Sequence, residues 1–571
     1  MTQRIRIAAA SALALATAGL AACATTPVAP VNTAPVELQI LALNDFHGNL
    51  ETQGSQTRYI DDAGVEQRET LGGAARMASL LQTLREGEDL TVTVAAGDLV
   101  GASPLASSYF LDEPAIAALN RMGLEIASVG NHEFDRGTAE LRRLQDGGCE
   151  ANTPRQPCAI EPFAGAEFTY LAGNVVNEAG DTLFPASTIR DFGTISVGFV
   201  GLTLKDTGKL ASPGGTAGWS FTDEAAAANA EASRLRAAGA DEVVLLIHQG
   251  GDVDPFFSTG GCPSLGGAIM PILDALDPDI RLVVSGHTHK AYVCELQTEA
   301  GPSRLLTSAG RYGGFVTDIA AAIDPVTRRF TNLAARNVPV GPDSGEEPET
   351  AALVARYVDA SRPIADRQIG TLTGRAPEGD CVESWNQSLV ADAQLAATRG
   401  AEQGGAQIAL MNSGGVRTQL EPGAVTFGQL FAMQPFGNTL SVLELTGEQL
   451  RRVLEQQFCE GKAGSCYSSL TPSAGFAYAF DGARPVGQRI TSMTLNGEAI
   501  DPAGVYRVTA NNFIASGGDG FTVLAEGRPV GDGGMDVAAL ENYFGGGDVT
   551  IPACGRIADM TGAATGQTPE I

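Results

Sequence analysis

The sequence predicts a layered α/β fold for the first half of the chain, and three observations support this prediction. Strand-like apolar runs alternate with helical patterns, most of these runs end in a polar cluster, and the clusters contain all five histidines of the 571-residue chain. Alternation of strands and helices is typical of an α/β layered domain. Ligands of open α/β sheets bind beyond the carboxyl ends of the strands, so the clusters predict a functional site at one rim.

The elements follow one another along the first half of the chain. The strand-like runs are Val36–Leu43, Leu90–Ala96, Leu124–Val129, Ile195–Leu202, Glu242–Ile247 and Ile280–Val284. The predicted helices are Glu113–Met122, Asp223–Ala238 and Gly267–Leu276. The polar clusters that follow the strand-like runs are residues 44–47, 97–98, 130–132, 248–250 and 286–289.

Residues 1–22 are typical of an export signal peptide. Arg4 and Arg6 give a basic start, and the small and apolar run that follows is too short and too weakly apolar for a membrane span. The tetrad Leu-Ala-Ala-Cys at residues 20–23 resembles the lipobox of bacterial lipoproteins, in which cleavage precedes the Cys and the new N-terminus is lipidated. We therefore predict an exported periplasmic or cell-surface protein, with a membrane tether through lipidated Cys23. A plain secretory peptide is the alternative.

The charge of the chain argues against two classes of partner. A formal net charge of -29 argues against binding of nucleic-acid polymers through a basic surface and against electrostatic docking on anionic lipid. Any anionic substrate must therefore be attracted by a local feature, such as a bound metal ion or a few arginines.

The cysteines predict disulfides. Without Cys23, an even number of the nine cysteines remains, which in an exported chain suggests disulfides rather than metal ligands. Short separations in the sequence predict the pairs Cys149–Cys158 and Cys459–Cys466. Cys262–Cys294 is a plausible third pair, and Cys381–Cys554 follows by elimination.

Changes of composition divide the chain into domains. A Pro/Thr/Ala-rich tether at residues 23–36 precedes a first domain at residues 37–341. Residues 342–368 begin acidic and turn-prone and continue as a helical pattern, with an expected interruption at Pro363, so we predict an interdomain linker helix there. Residues 369–560 are rich in glycine loops and form a second domain, and residues 561–571 form a tail that we expect to be disordered.

Seven side chains in the polar clusters are candidate metal ligands. In an extended segment, side chains at i and i+2 point to the same face, so Asp45 and His47 can converge on one site. Carboxylate with imidazole and no thiolate suits Zn, Mn, Fe, Co or similar ions. The set is too large for one tetrahedral ion and suits two divalent ions that share a bridging carboxylate. The candidates are Asp45, His47, Asp98, Asn131, His248, His287 and His289.

The order and spacing of these motifs resemble the calcineurin-like metallophosphoesterases over about residues 38–340. The resemblance implies a four-layer α/β/β/α sandwich that holds two divalent metal ions, with Asp98 as the bridge. It implies that His132 contacts the phosphoryl group or the leaving oxygen, and that Asp135 orients His132. The sequence assigns no role to Glu133. The implied ligands are Asp45, His47, Asp98 and His289 for one ion, and Asp98, Asn131, His248 and His287 for the other.

Three motifs of the second half, MNSGGVR, QPFGNTL and NNFIASGGDGF, resemble the C-terminal domain of the 5'-nucleotidase family. The resemblance implies a second α/β domain that binds the substrate and rotates about residues 342–368 to carry it to the metal ions. It implies that Arg417 binds phosphate, that Phe436 and Phe513 sandwich the base, and that Asp519 accepts hydrogen bonds from ribose hydroxyls. It also implies that Asn412 and Asn438 bind polar groups of the nucleoside, and that Gly475 allows close backbone approach.

The resemblance predicts an exported dinuclear-metal phosphohydrolase that removes the 5'-phosphate from nucleotides. Residues 378–389 lack the arginine pair that many family members carry, which leaves the choice of substrate open. The alternatives are a 2',3'-cyclic nucleotide phosphodiesterase, a nucleotide-sugar hydrolase, and the thiohydrolase of bacterial sulfur oxidation, against which Phe436 and Phe513 argue. A lipoprotein that binds nucleotides without turnover is an alternative of another class, against which the intact ligand set argues.

Overall fold

The structure is a computed structural model that describes residues 34–562 apart from 53, 55, 154, 212–213, 299–300, 378–380, 460–467 and 546. The predicted signal peptide, Cys23, most of the tether and nearly all of the predicted tail therefore lie outside the described residues. Among the residues that are described, no helix is both long enough and apolar enough to cross a membrane.

The first domain contains every strand and helix that the sequence predicts, with small shifts at their ends. Its strands are β1 Val36–Leu43, β2 Thr57–Ile60, β3 Glu66–Glu69, β4 Thr91–Ala96, β5 Ile126–Ser128, β6 Thr169–Leu171, β7 Val175–Val176, β8 Ser187–Asp191, β9 Ser196–Leu202, β10 Ser220–Phe221, β11 Glu242–Ile247, β12 Leu282–Ser285, β13 Ala291–Leu296, β14 Arg304–Ala309, β15 Phe315–Asp324 and β16 Arg329–Pro339. Its helices are α1 Ala74–Arg85, α2 Leu105–Ser108, α3 Glu113–Arg121, α4 Thr138–Asp146, α5 Thr207–Leu210, α6 Glu224–Ala237 and α7 Ile269–Ala275.

Two six-stranded sheets form the centre of the first domain. One has the order β16-β15-β1-β4-β5-β6 and the other the order β13-β14-β12-β11-β9-β8. Side chains of β1 alternate between two cores: Ile40 and Ala42 pack between the sheets, whereas Leu41 and Leu43 pack against helices α1 and α3. Helices α6 and α7 cover the outer face of the other sheet. Both faces of each sheet are therefore buried, and the predicted four-layer sandwich is confirmed.

The polar clusters follow strands of both sheets rather than of one sheet. Strands β1, β4 and β5, which precede three of the clusters, are parallel neighbours in the first sheet. Strands β11 and β12, which precede the other two, are parallel neighbours in the second sheet. The single rim that the sequence predicts is thus built from two facing sheets whose parallel strands end on the same side of the sandwich.

Helix α8, Pro348–Ala365, lies in the predicted interdomain connection and packs on the first domain. Its Leu353 and Tyr357 belong to the core that also contains α1 and α3. The expected interruption at Pro363 is wrong, because the helix continues through this residue and ends at Ala365. A proline so close to the C-terminal end removes a backbone hydrogen bond only from the last turns, which leaves most of the helix unaffected.

The second domain follows α8 and mixes strands with helices. Its strands are β17 Gln368–Thr373, β18 Ile408–Asn412, β19 Gly423–Thr426, β20 Thr439–Thr446, β21 Leu470–Pro472, β22 Phe476–Phe480, β23 Ile490–Leu495, β24 Glu498–Ala499, β25 Val505–Asn511, β26 Arg528–Met535, β27 Asp548–Thr550 and β28 Ile557–Asp559. Its helices are α9 Trp385–Thr398, α10 Phe427–Met433, α11 Gly447–Glu455, α12 Asn512–Ala515 and α13 Asp536–Phe544. Its largest sheet has the order β21-β18-β25-β20-β26. The predicted second α/β domain is confirmed.

Three of the predicted disulfides are present, including the one reached by elimination. They are Cys149–Cys158, Cys262–Cys294 and Cys381–Cys554. Cys466 lies outside the described residues, so the pairing of Cys459 with Cys466 stays a prediction.

Candidate active site

The candidate metal ligands of the first domain converge into two adjacent groups. Within each group the ligand atoms all lie within 4.8 Å of one another. Asp45, His47 and His289 form the first group, and Asp98, His248 and His287 form the second. These six residues are divided between the two groups as the sequence predicts for two ions. The seventh predicted ligand, Asn131, and the predicted sharing of Asp98 between the ions are not part of this grouping.

Asp98 and Asn131 complete this arrangement. One Asp98 oxygen, Oδ2, lies 3.0 Å from Nε2 of His248 in the second group and 3.7 Å from Nε2 of His47 in the first. The Asn131 oxygen lies 3.1 Å from Nε2 of His248 and 3.1 Å from Nδ1 of His287. The Asp98 carboxylate thus lies between the groups, and Asn131 lies beside the second.

The backbone at these residues is strained. Five of the seven candidates have a left-handed backbone conformation that non-glycine residues rarely adopt, and such strain concentrates at functional sites. The five, with their φ angles, are Asp45 at 50°, His47 at 48°, Asp98 at 51°, His287 at 71° and His289 at 61°. Gly130 allows the close approach of Asp98, since a Cβ at this glycine would lie 2.2 Å from the Asp98 carboxylate.

Backbone carbonyls orient two of the imidazoles. Nδ1 of His47 lies 2.8 Å from the carbonyl oxygen of Gly101, and Nδ1 of His248 lies 2.8 Å from that of Ala96. Because a carbonyl can only accept, each Nδ1 carries the hydrogen and Nε2 faces the other ligands. Such a hydrogen bond on the outer ring nitrogen is typical of metal-binding histidines.

The charges of the site suit a divalent cation. Burial lowers the pKa of His47 and His289 well below the usual value and that of His287 to about 3, so these imidazoles are neutral at pH 7 and present lone pairs. Burial also disfavours charge on His248, yet Asp98 raises its pKa to about 10. The buried carboxylates therefore favour a positive charge at this place, which a metal ion would supply in place of the proton. The donor set thus fits a divalent cation.

His132 and Asp135 lie beside the candidate ligands, and the His132 ring contacts the ring of His47 with centroids 5.1 Å apart. Nδ1 of His132 is 2.9 Å from the Asp135 carboxylate, and the backbone N–H of His132 donates to Asp98 Oδ1 at 2.9 Å. Burial alone would lower the pKa of His132, but Asp135 and Asp98 raise it above the usual value. This imidazole is therefore oriented by Asp135 and favours its protonated form.

Glu133 is a buried residue whose role the sequence does not reveal. Its carboxylate accepts hydrogen bonds from the backbone N–H groups of Asp98 at 3.0 Å, Leu99 at 2.7 Å and Gly130 at 2.7 Å. These bonds join the loop after β4, which carries Asp98, to the loop after β5, which carries Asn131. Glu133 is thus a positioning residue, and only the three-dimensional contact of the two loops shows it.

We expect Glu133→Gln to weaken metal binding about tenfold, the typical effect of removing a group that orients metal ligands. The amide can accept at one atom but presents an N–H₂ group to at least one of the backbone donors. Isothermal titration of Mn²⁺ into the metal-free protein measures the effect. Glu125→Gln, at a half-buried carboxylate that pairs with Arg190 on the first domain, is the control and should leave the affinity unchanged. Equal Mn²⁺ affinities for wild type and Glu133→Gln would contradict the role.

Residues of the second domain meet the first domain around a cavity of about 910 Å³. The cavity is lined by most of the predicted site residues from both domains. From the first domain they are Asn131, His132, Asp135 and His287, and from the second Asn412, Arg417, Phe436, Asn438, Phe513 and Asp519. The Phe436 ring stacks on the His132 ring with centroids 5.8 Å apart and an interplanar angle of 21°. The predicted substrate residues thus face the candidate metal residues.

Gly475 is not among the residues that line this cavity. It occupies the turn between β21 and β22 with a φ of 91°, where a Cβ would lie 2.7 Å from the Asn496 side chain. The turn itself requires this glycine. The expectation that Gly475 allows the substrate to approach the backbone gains no support from this cavity and stays a prediction.

Arg417 reaches from the second domain toward the metal ligands. Its guanidinium carbon lies 5.8 Å from the centre of the Phe436 ring. After burial, Arg417 is the largest cause that lowers the pKa of His289, which places its charge near the first group. Nε and Nη2 of Arg417 are buried without a hydrogen-bond partner among the described residues. Buried, unpaired donors of this kind are costly and suit an anionic ligand.

Residues of the second domain that are predicted to bind the nucleoside are connected by hydrogen bonds. Asn412 donates to Asp519 at 2.8 Å and accepts from Asn511, a residue that the sequence did not single out, at 2.9 Å. Gly518 allows the Phe513 ring to lie against the backbone, because a Cβ there would lie 2.4 Å from the ring. The side chains that face the cavity are thus held in place before any ligand binds.

Comparison with known proteins agrees with the fold and the site. Residues 38–291 match the calcineurin-like phosphoesterase family, and residues 368–526 match the 5'-nucleotidase C-terminal domain family. The chain is 29% identical over 495 residues to the protein named Endonuclease YhcR from Bacillus subtilis, covering 85% of this chain but only 38% of that relative's length. It is 24% identical to the NAD 5'-nucleotidase of Haemophilus influenzae, covering 88% of this chain and 89% of the relative.

A solved structure has the same two-domain arrangement. The crystal structure of a 5'-nucleotidase precursor from Thermus thermophilus aligns with a TM-score of 0.74 at 25% identity, covering 92% of this chain and 99% of that chain. The fold and the clustered ligands thus define a metal-dependent phosphoester hydrolase of the calcineurin-like class. Since a 5'-nucleotidase C-terminal domain follows the phosphoesterase domain, the chain belongs to the 5'-nucleotidase family.

Proposed function

We propose that the protein is an exported phosphohydrolase that uses two divalent cations and releases nucleoside and phosphate from 5'-nucleotides. The stacking of Phe436 on His132 is the main observation in support, because it joins the predicted base site to the candidate metal residues. A nucleoside bound in the second domain would have its 5'-phosphate beside the ligand groups.

The candidate metal residues and Arg417 would bind the phosphoryl group. When bound, divalent cations supply the positive charge that stabilises the phosphoryl group during transfer to water. Asp45, His47, Asp98 and His289 would hold one ion, and Asp98, Asn131, His248 and His287 the other. Arg417 offers its buried, unpartnered Nε and Nη2 to the phosphoryl oxygens, which a planar guanidinium binds well.

His132 would protonate the leaving 5'-oxygen. Asp135 accepts the Nδ1 hydrogen at 2.9 Å, which leaves the Nε2 proton for donation toward the cavity. The raised pKa of His132 keeps that proton available near neutral pH.

The second domain would select the nucleoside. Phe436 and Phe513 line the cavity as two apolar rings on which a base can stack, and every base has a face for such stacking. The hydrogen-bonded pair of Asn412 and Asp519 offers a polar wall for ribose hydroxyls. The names of the Thermus and Haemophilus relatives, a 5'-nucleotidase precursor and an NAD 5'-nucleotidase, agree with a nucleotide substrate.

The location outside the cytoplasm rests on the sequence of residues 1–23. The basic start, the short apolar run and the lipobox-like tetrad support export and a membrane tether through Cys23. Mass spectrometry of the protein purified from its own membranes tests this, because we expect a lipid mass on an N-terminal Cys23.

A hydrolysis assay tests the proposed activity. Purified mature protein is loaded with Mn²⁺, Co²⁺ or Zn²⁺ and offered AMP, a 2',3'-cyclic nucleotide and a nucleotide sugar, while phosphate and nucleoside release are followed. We expect equal amounts of adenosine and phosphate from AMP. Binding of AMP without release of either product, with every metal, would favour the alternative of a nucleotide-binding lipoprotein.

We expect Phe513→Ala to raise KM for AMP about 10-fold, because stacking of one base contributes roughly 1 to 3 kcal/mol. The kcat should change little, since the ring lies in the second domain apart from the metal ligands. Phe427→Ala removes a half-buried ring of the same domain that lies outside the cavity, and should leave KM unchanged. An unchanged KM for AMP in Phe513→Ala would contradict the proposal that Phe513 is part of a nucleotide-binding site.

A further inference from the structure

Two cationic residues, Lys290 and Arg311, lie beside the first group of candidate metal ligands. Lys290 directly follows His289, and Arg311 directly precedes Tyr312. The Tyr312 ring contacts the rings of His47 and His289, with centroids 5.7 Å and 5.6 Å away. The Arg311 guanidinium carbon lies 4.8 Å above the centre of the same Tyr312 ring. Arg311 is therefore separated from two candidate ligands by a single ring.

Aromatic rings hold both cations in place. The Lys290 ammonium lies 4.3 Å from the centre of the Phe256 ring and donates to the carbonyl of Val253 at 3.1 Å. The Arg311 guanidinium carbon lies 5.8 Å from the Phe256 centre and 5.9 Å from the Phe257 centre. Phe256 itself is 40% exposed. Cation–π contacts thus hold both cations next to solvent.

These charges are not neutralised by neighbouring carboxylates. Among the described residues, neither Lys290 nor Arg311 forms a salt bridge, although the chain as a whole carries a net charge of -29. Nε of Arg311 is also buried without a hydrogen-bond partner in the described part of the chain. A buried donor without a partner costs free energy. Lys290, which donates to the carbonyl of Val253, adds a second cation without a carboxylate partner in the described part of the chain. Together the two cations indicate a place for an anionic ligand.

This place differs from the cavity that Arg417 shares with the base site. Lys290, Arg311 and Phe256 are not among the residues that line that cavity in the described structure. Arg417 approaches the ligand groups from the second domain. Lys290, just before strand β13, and Arg311, just after strand β14, approach His289 from the first domain. A phosphoryl group at the ligand groups would therefore have cationic side chains from both domains near it.

We propose that Lys290 and Arg311, with Phe256 and Tyr312 as their supporting rings, bind a second phosphoryl group joined to the one at the candidate metal ligands. This proposal rests on the proposed function and names its substrate class: nucleotides with a pyrophosphate link, as nucleoside diphosphates or as dinucleotides. Residues 378–389 lack the arginine pair that many family members carry. In this proposal, Lys290 and Arg311 of the first domain make phosphate contacts in place of that pair.

Calorimetric titration tests the proposal without turnover. Inorganic pyrophosphate and inorganic phosphate are titrated into full-length mature protein loaded with Mn²⁺, and bound Mn²⁺ is measured before and after. In wild type we expect pyrophosphate to bind more tightly than phosphate. In Arg311→Gln and in Lys290→Gln the ratio of the two affinities should fall about tenfold, the effect of losing one hydrogen bond to a charged group.

A matched variant and a second substrate pair complete the experiment. Arg190→Gln removes an arginine of strand β8 that lies 5.6 Å over the Phe192 ring, and should keep the wild-type ratio. In kinetic runs, Arg311→Gln should raise KM for ADP and for NAD more than KM for AMP. A rise in KM for ADP alone assigns the subsite to nucleoside diphosphates. A rise in KM for both ADP and NAD means that the subsite binds nucleoside diphosphates and dinucleotides alike.

Three results would overturn the proposal. They are equal affinity of wild type for pyrophosphate and phosphate, an unchanged ratio in both variants, and an equal fall for both anions, which would mean that Arg311 acts only through the metal ligands. Failure of the proposed function has a different signature, because wild type would then hydrolyse neither AMP nor ADP whatever its affinity for pyrophosphate.

Discussion

Asp98→Asn is expected to abolish turnover and to weaken metal binding. Asp98 Oδ2 lies between the two ligand groups, 3.0 Å from His248 and 3.7 Å from His47, and Oδ1 accepts from the backbone N–H of His132 at 2.9 Å. The amide removes the negative charge that both candidate sites share and replaces one oxygen with a hydrogen-bond donor. Because a bound metal ion stabilises the transferred phosphoryl group by several kcal/mol, we expect kcat to fall by about three orders of magnitude.

Metal analysis and kinetics together measure this effect. Wild type and Asp98→Asn are loaded with Mn²⁺, desalted, and compared for bound metal and for AMP hydrolysis. Asp359→Asn changes an exposed aspartate of helix α8 in the same way and should behave as wild type. Wild-type activity in Asp98→Asn would be incompatible with a shared carboxylate at the centre of the site.

His132→Ala is expected to lose rate while it keeps its metal ions. The ring lies in the cavity, its Nδ1 pairs with Asp135 at 2.9 Å, and its other nitrogen is available to the substrate. Loss of a general acid costs about 10² to 10⁴ in rate. Neither group of candidate ligands includes His132, so bound Mn²⁺ should remain at the wild-type level.

Asp135→Asn is the matched variant for His132→Ala. It keeps the imidazole but replaces the carboxylate that raises the pKa of His132, so we expect a smaller fall in kcat and an alkaline limb of the pH–rate profile that is shifted to lower pH. His132 is protonated, and can act as an acid, only below its pKa in the folded protein. When that pKa is lower, kcat begins to fall at a lower pH as the pH rises. A loss of bound Mn²⁺ in His132→Ala would make His132 a ligand instead.

The sequence predicts that the candidate ligands meet because each of them follows a predicted strand. Parallel strands of one sheet end at one edge, so Asp45, Asp98 and Asn131 had to meet. Periodicity does not reveal that His248 and His287 follow strands of a second, facing sheet. It indicates that both faces of a strand are buried but not which element packs on each face. The resemblance to a known family supplied that step.

Other features depend on contacts between distant segments. Glu133 acts by accepting backbone N–H groups of two loops, a role that leaves no side-chain pattern in the sequence. Gly475 occupies a turn between β21 and β22 that does not line the cavity, a position that the sequence does not reveal. Lys290 and Arg311 gain their significance only from the rings of Phe256 and Tyr312, which the fold brings to them.

A crystal structure of the protein with Mn²⁺, adenosine and phosphate, with an anomalous difference map, tests the central claim most directly. We expect two Mn²⁺ peaks, one beside Asp45, His47 and His289 and one beside Asp98, His248 and His287. The Asp98 carboxylate should contact both ions, and the adenine ring should lie between Phe436 and Phe513. A single peak, or two peaks with Asp98 bound to neither, would contradict a two-metal site built around Asp98.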